Sequence, residues 1–238
     1  MDVDRSSLAD MKIIAVRIPN NEIRYVFRKW LRAKLASSMQ SQNIQGRSIA
    51  LFKSMVSEPM AGFAEEFGKL VLETVPGQFF GSKEVVYQAY VYAFFTAAAE
   101  AMDITPKWEV EVECFAGSGR LDLIAQHARD KHASIQKYKR LTYIKKEKGK
   151  GYGESQRIRL TRKAEKALTQ IEDRRYRSSI RTHVLELREY GIAFLGPYCG
   201  IVGRLLSREP GKEWKVADNY TSGARARGET SWEVWYMF

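Results

Sequence analysis

The spacing of apolar residues changes once along this chain, near residue 108, and this change constrains the fold more than any other feature. Before it, apolar residues such as Phe63, Phe67 and Leu70 recur every three or four positions, as on one face of a helix. From Trp108 to Cys114, glutamates alternate with apolar residues, which is the period of a strand. Helices therefore precede strands, and the sequence predicts a mixed α/β or α+β fold.

The predicted elements follow from these two periods and from the turn residues between them. The predicted helices are 23–35, 49–75 with a break near Pro59, 82–102, and one capped by Thr161 that runs to about Tyr176. The predicted strands are 108–114, 121–125, 133–142, 190–195 and 199–206. Because Gly117–Gly119 is a turn sequence, the first two strands are predicted to form a β-hairpin.

Positive charge is concentrated in one segment of the chain. The net charge is +11, and residues 129–181 contain 18 basic and 6 acidic residues, a net charge of +12. A localised basic segment favours binding to phosphate, and so to nucleic acid or an anionic membrane surface. A solvated basic loop or helix face is the alternative interpretation.

Several classes of protein are excluded by composition. With two cysteines and three scattered histidines, neither a disulfide framework nor a zinc enzyme is expected. The longest apolar run, Tyr87–Ala99, is shorter than the ~20 residues of a membrane span. There is no P-loop motif, and the acidic N-terminus does not resemble a secretory signal. The chain is therefore expected to be intracellular and reduced, with no membrane partner.

Asp122 is the acidic residue that most needs an explanation, because apolar residues flank it on a predicted buried strand. A buried carboxylate needs a partner or a metal ion. An edge strand with Asp122 paired to Arg120 is one interpretation. In the other, the hairpin places Asp122 beside the third strand, where Lys137 and Lys139 share a face. Carboxylate oxygens that hold Mg²⁺, with a nearby lysine, suit phosphodiester hydrolysis.

Four segments in order, GSGRLDL, IQKYK, ALTQIEDRRY and YGIAF, resemble the PD-(D/E)XK nuclease domains that follow AAA-ATPase-like modules and occur in Crinkler-type effectors. The opening IPNNEIRYVFRKWL resembles the lead-in helix of that family, so the resemblance covers roughly residues 13–206. It implies a restriction-endonuclease-like mixed sheet flanked by helices, and Mg²⁺- or Mn²⁺-dependent cleavage of DNA. The domains expected are an N-terminal helical extension (1–80), a nuclease-like core (81–210) and an aromatic C-terminal tail (211–238).

The resemblance also assigns roles to individual residues. Asp122 matches the metal-binding aspartate, Glu84 the helical glutamate, and Lys139 the catalytic lysine. Gln170 and Tyr176 match the signature of the helix after the active strand, with Gln170 near the phosphate. Lys137 stands where the family has its second acidic ligand. Because an ammonium repels a divalent ion, this exchange disfavours metal binding by several kcal/mol at ~4 Å and an effective dielectric constant of ~20.

Because Lys137 replaces the second acidic ligand, several interpretations of the function remain open. Glu113 or Glu111 could supply the missing oxygen from the neighbouring strand, which would preserve a DNA endonuclease. The chain could be an inactive pseudonuclease that still binds DNA, or a protein-interaction module. Lys137 could also have been introduced to silence a toxic enzyme.

A cationic clamp on the DNA phosphate backbone is expected around the active strand. In this prediction Arg157 and Arg159 share a face of a strand. The predicted DNA-binding residues are Lys145, Lys146, Lys148, Lys150, Arg157, Arg159, Lys166, Arg174 and Arg175. The aromatic tail is interpreted as a packing flap or a protein contact, with base stacking as a further alternative. A homo-oligomer or a protein partner, and a nuclear location, are compatible with this reading.

Overall fold

In the computed structural model of this chain, six strands of the described residues form one mixed sheet. The structure describes residues 44–57, 59–74, 87–88, 91–92, 94–95, 98, 108–142, 153–196 and 198–221. All of them belong to one compact unit, Met39–Phe238. Among these residues, no helix is both long enough and apolar enough to cross a membrane.

The elements follow one another in the order that the sequence periods predict. The helices are α1 (Ile44–Val56), α2 (Met60–Thr74) and α3 (Glu154–Asp173), with a short 3₁₀ helix at Tyr176–Ser179. The strands are β1 (Trp108–Ala116), β2 (Gly119–His127), β3 (His132–Arg140), β4 (Glu186–Leu195), β5 (Tyr198–Ser207) and β6 (Lys215–Thr221). The described residues between 87 and 98 are helical. The mixed α/β class and the five predicted strands are therefore confirmed.

The sheet has the strand order β1-β2-β3-β4-β5-β6. Neighbouring strands are antiparallel except for β3 and β4, which are parallel. The connection between these two strands contains α3, as a crossover between parallel strands requires. Strand β6 pairs with β5, so part of the segment predicted as a C-terminal tail lies in the sheet.

Helices pack against the sheet through separate apolar clusters. One cluster joins α1, α2 and the helical residues between 87 and 98 to the strands, with Phe63 and Phe194 among its members. A second joins the C-terminal half of α3 to β2, β3 and β4, and a third joins its N-terminal half to β4 and β5. Helix α3 approaches β4 so closely that a Cβ on Gly191 would lie 2.1 Å from the carbonyl oxygen of Ala164.

The structure corrects the predicted boundaries of α3. The helix begins at Glu154, with Gly153 as its N-cap, rather than at Thr161, and it ends at Asp173. The side chain of Gln156 accepts a hydrogen bond from the backbone N–H of Gly153 and closes the first turn. The buried stripe of the helix consists of Gln156, Leu160, Ala164, Ala167 and Ile171. Thr161 therefore lies inside the helix.

The same correction applies to Arg157 and Arg159, which were predicted to share a face of a strand. Both residues lie in α3, where positions two apart point about 200° away from each other. The side chain of Arg157 pairs with Glu154 at 2.7 Å, and Arg159 donates a hydrogen bond to the carbonyl of Thr142. The two arginines therefore do not form one common surface.

The turn between β1 and β2 is anchored on the C-terminal end of α3. Gly117 has a φ angle of +51°, in the left-handed region that favours glycine. A Cβ at this position would lie 2.0 Å from the carbonyl oxygen of Arg174. The backbone N–H of Ser118 donates a 2.9 Å hydrogen bond to that same oxygen. The hairpin tip is therefore fixed against α3.

Candidate functional site

Asp122 forms a buried ion pair with Lys137. The carboxylate Oδ1 of Asp122 lies 2.8 Å from the Nζ of Lys137, and the two side chains are only 6% and 7% exposed. Because β2 lies between β1 and β3, the alternative of an edge-strand Asp122 paired with Arg120 is wrong. The other interpretation, in which Asp122 lies beside the third strand, is confirmed.

The pair lies where β2 and β3 separate. The two strands pair from Gln126–Ala133 to Leu123–Gln136, and their pairing ends there, although both strands continue. Beyond that point, hydrogen bonds between side chains and backbone groups connect the two strands. The backbone N–H of Tyr138 donates a 2.6 Å hydrogen bond to Oδ2 of Asp122, and Lys137 Nζ donates to the carbonyl of Arg120 at 3.0 Å. The carboxylate thus occupies the place of a backbone acceptor.

Two further side chains connect to this pair. From the helical segment between 87 and 98, Gln88 Nε2 donates to Asp122 Oδ1 at 3.1 Å. From the segment after α3, the hydroxyl of Tyr176 donates a 2.9 Å hydrogen bond to the Arg120 carbonyl that also accepts from Lys137. Gln170 Nε2 lies 3.5 Å from the Tyr176 hydroxyl, a long contact. The predicted residues Asp122, Lys137, Gln170 and Tyr176 therefore lie in one connected cluster.

The charge of Asp122 affects neighbouring groups. Burial and the nearby carboxylate raise the pKa of the Tyr138 hydroxyl well above its usual value. Burial, with smaller contributions from Glu111 and Asp122, raises the pKa of the Cys114 thiol to about 11. Both groups are therefore neutral near pH 7.

The described residues do not fit a Mg²⁺ site at Asp122. Mg²⁺ needs octahedral oxygen ligands, and a site of this kind uses one or more carboxylates. Both oxygens of Asp122 already accept hydrogen bonds, and the nearest charged neighbour is an ammonium. Within the part of the chain that the structure describes, no group of three or more His, Cys, Asp or Glu side chains could hold a metal ion.

Other predicted site residues are placed only in part. Lys139 lies two residues beyond Lys137 on β3 and is partly exposed. The backbone of Glu113 lies opposite Asp122, between the pairs Val112–Leu123 and Cys114–Leu121. The side chain of Glu113 and the whole of Glu84 lie outside the described residues. So do four predicted DNA-binding lysines and most of the aromatic tail: Lys145, Lys146, Lys148, Lys150 and residues 222–238.

The remaining predicted DNA-binding cations divide into paired and unpaired groups. Arg157 is paired with Glu154, as described above. Lys166, Arg174 and Arg175 are exposed, and no salt bridge joins them to any described residue. Arg174 and Arg175, called here the arginine pair, touch the β1–β2 turn through their backbone. They therefore lie at the same end of the molecule as the hairpin tip.

A buried carboxylate that the sequence analysis missed lies on β4. Glu189 is fully buried, and its two oxygens accept hydrogen bonds from Arg177 at 2.6 and 3.0 Å and from Arg204 at 3.1 Å. Arg204 also pairs with Glu172, and this hydrogen bond lowers the pKa of the Glu172 carboxyl. All charges in this cluster have partners, so we interpret it as structural. It removes Arg177 from the set of cations available to a ligand.

A second missed residue is Phe115, near the tip of the hairpin. Its side chain is 89% exposed, and it lies directly opposite Arg120 in the β1–β2 ladder. The signal for it was present in the sequence. Strand alternation places Phe115 in phase with Glu109 and Glu111, on the polar side of β1 rather than the apolar side.

A separate cleft of about 480 Å³ contains none of the predicted site residues. It lies between the α1–α2 connection and the β5–β6 edge, and Arg188, Asp218 and Tyr220 are among its lining residues. Arg188 is mostly buried, and it donates a hydrogen bond to the carbonyl of Val56.

Comparison with known proteins gave no relative for this chain. No family model, no curated protein and no solved structure matches it. The function is therefore argued from the geometry of the site.

Proposed function

We propose that this chain is a nucleic-acid-binding protein with a restriction-endonuclease-like fold, in which the ammonium of Lys137 takes the position of a catalytic metal ion. It binds DNA through its phosphate backbone and does not hydrolyse it at Asp122. The observation that carries this proposal is the buried Asp122–Lys137 pair, with an Nζ–Oδ1 distance of 2.8 Å.

The argument for a silent site rests on charge. A divalent ion beside Asp122 would meet the ammonium of Lys137, which is hydrogen-bonded to that carboxylate. At ~4 Å and an effective dielectric constant of ~20, repulsion between a unit charge and a divalent ion amounts to ~8 kcal/mol. The Lys137 ammonium also neutralises the negative charge of Asp122, which would otherwise attract a metal ion. Both effects oppose metal binding, so the inactive reading is favoured over the DNA endonuclease that the sequence motifs also suggest.

The argument for nucleic acid rests on the exposed cations that form no salt bridge with any described residue. Lys166 and the arginine pair are exposed on α3 and just after it. Phosphate contacts of this kind fix a duplex in place without reading its sequence. The lysines between residues 145 and 150 add positive charge to the same stretch of the chain.

Binding is tested by fluorescence anisotropy of the full chain with a labelled DNA duplex. If about four phosphates are contacted, affinity falls roughly 100-fold between 50 and 200 mM salt. Neutralising Arg174 and Arg175 with glutamine lowers the slope of log K against log salt by up to about 0.9 per residue. The matched control neutralises two lysines near β6, Lys212 and Lys215, which gives the same change in net charge. Equal effects of the two variants, or binding with no salt dependence, would refute the phosphate contact.

Cleavage is tested by nicking of a supercoiled plasmid with Mg²⁺ or Mn²⁺. We expect no nicking by the unaltered chain. Lys137→Glu, which restores the acidic residue of the family motif, is the variant in which nicking would identify a silenced nuclease. Nicking by the unaltered chain that is lost in an Asp122→Ala variant with an intact circular dichroism spectrum would overturn the proposal, because another carboxylate would then complete an active site. A chain that neither cuts nor binds DNA would favour a protein-interaction module.

A further inference from the structure

Phe115 stands out among the exposed apolar side chains because the backbone around it is firmly held. The neighbouring Ala116 is 4% exposed and packs in the cluster that contains Tyr176 and Ile171. Ser118 bonds to the carbonyl of Arg174, and the Tyr176 hydroxyl bonds to the carbonyl of Arg120. One face of the hairpin tip is thus buried and anchored, while the ring of Phe115 on the other face is 89% exposed.

The ring lies close to Asp122. Residues directly opposite each other in an antiparallel ladder share one face, so Phe115 and Arg120 lie on the same face of the hairpin. Asp122 follows Arg120 by two residues on β2 and is therefore a diagonal neighbour of Phe115 in the ladder. Diagonal neighbours of this kind have Cα atoms roughly 7–8 Å apart. Phe115 therefore stands at the edge of the Asp122–Lys137 site.

Cations surround the same tip. The arginine pair touches the turn at Gly117, two residues from Phe115, and both of its side chains are exposed. Of the described acidic side chains of β1, Glu109 is paired with Arg181 at 2.5 Å. Glu111 lies four residues from Phe115, about 13 Å along the strand at ~3.3 Å per residue. Among the described residues, exposed arginines therefore lie at this tip: Arg120 is directly opposite Phe115, and the arginine pair is at the turn.

We propose that Phe115 is a stacking platform for an unpaired base of a bound nucleic acid, with the arginine pair on the flanking phosphates. An exposed aromatic ring beside cations is the arrangement by which proteins bind single strands, since every base presents a π-face. A fixed backbone suits this role, because little conformational freedom is lost on binding. This inference rests on the proposed nucleic-acid binding and adds the kind of strand that is preferred.

The test compares two labelled oligonucleotides of equal length, a 20-residue deoxythymidine strand and the same backbone without bases. The full chain should bind the strand with bases at least about fivefold more tightly, since stacking on one ring is worth roughly 5- to 150-fold in affinity. Phe115→Ala should abolish this preference while the salt slope stays the same, because no charge is removed. Phe115→Trp should retain the preference.

The matched control is Val216→Ala, which removes another exposed apolar side chain, 52% exposed on β6. It should leave the preference unchanged. If the unaltered chain binds neither oligonucleotide nor duplex, the proposed function fails. If it binds and Phe115→Ala keeps the preference for bases, the present inference alone fails. It fails also if Phe115→Ala changes only the oligomeric state, measured by light scattering, because the ring is then a protein contact.

Discussion

Replacing Lys137 by methionine tests whether the buried pair determines the stability of the site. The substitution keeps most of the volume of the side chain and removes its charge. At 2.8 Å and an effective dielectric constant of ~20, the attraction between the two charges is about 6 kcal/mol before desolvation is subtracted. Loss of one partner leaves the buried Asp122 carboxylate with two donors among the described residues, Gln88 and the Tyr138 N–H. We therefore expect Lys137→Met to lower the free energy of unfolding by about 3–5 kcal/mol.

Urea denaturation followed by circular dichroism measures this loss, and calorimetry should show a melting temperature roughly 6–20 °C lower, at about 2–4 °C per kcal/mol. The double variant Lys137→Met/Asp122→Asn removes both charges and should recover more than about 1 kcal/mol relative to additivity. The control is the exposed pair Lys212–Glu209, whose side chains are 65% and 70% exposed. Lys212→Met should cost under about 1 kcal/mol. A cost for Lys137→Met as small as the control, or strictly additive effects, would refute the reasoning.

Three further predictions concern the metal position, the hairpin tip and the thiol near the site. Millimolar Mn²⁺ should leave the melting temperature of the unaltered chain unchanged and should raise that of Lys137→Glu. At a Mn²⁺ concentration 100 times the dissociation constant, the stabilisation of Lys137→Glu is about 2.7 kcal/mol. An equal shift in both proteins would contradict the prediction. Gly117→Ala should lower the free energy of unfolding by more than about 2 kcal/mol in urea denaturation, because its Cβ would overlap the Arg174 carbonyl. Gly211 also has a positive φ, but a Cβ there meets no atom within 4 Å, so Gly211→Ala should lower the free energy of unfolding by less. The rate of alkylation of Cys114 by iodoacetamide should rise about tenfold per pH unit from pH 7 to 9.5, because a raised pKa of about 11 keeps the thiol neutral. A plateau below pH 9.5, or the same rate in Cys114→Ala, would contradict this prediction.

Strand β1 was predictable because its burial is one-sided, with exposed glutamates between half-buried apolar residues. The alternation of glutamate and apolar residues over 108–114 and the glycine turn specify a hairpin by themselves. The start of α3 was missed for an equally physical reason. The Gly- and Lys-rich sequence before Thr161 has no apolar stripe of its own, and the buried residue of the first turn is the polar Gln156. A polar residue in a buried stripe cannot be recognised from hydrophobic period alone.

The candidate site was predictable in its centre and not at its periphery. Asp122 beside the third strand was one of two interpretations of the sequence, but the separation of β2 from β3 is a tertiary feature that no local pattern encodes. Gln88 interrupts an apolar helical run, and such an interruption indicates a buried polar partner. That partner is Asp122, which lies 34 residues away in sequence. Phe115 was missed, although its position on β1 is in phase with Glu109 and Glu111.

The geometry of Asp122 also determines how activity assays on this chain must be interpreted. Its Oδ2 accepts the Tyr138 N–H where the β2–β3 pairing has ended, so the carboxylate has a structural function whether or not a metal binds. Asp122→Ala leaves Lys137 buried without its counter-ion, and loss of activity in that variant could reflect loss of fold. Lys137→Glu changes the charge at the metal position while leaving Asp122 in place. Metal-dependent DNA cleavage gained by Lys137→Glu is therefore the informative result, provided that circular dichroism shows an intact fold.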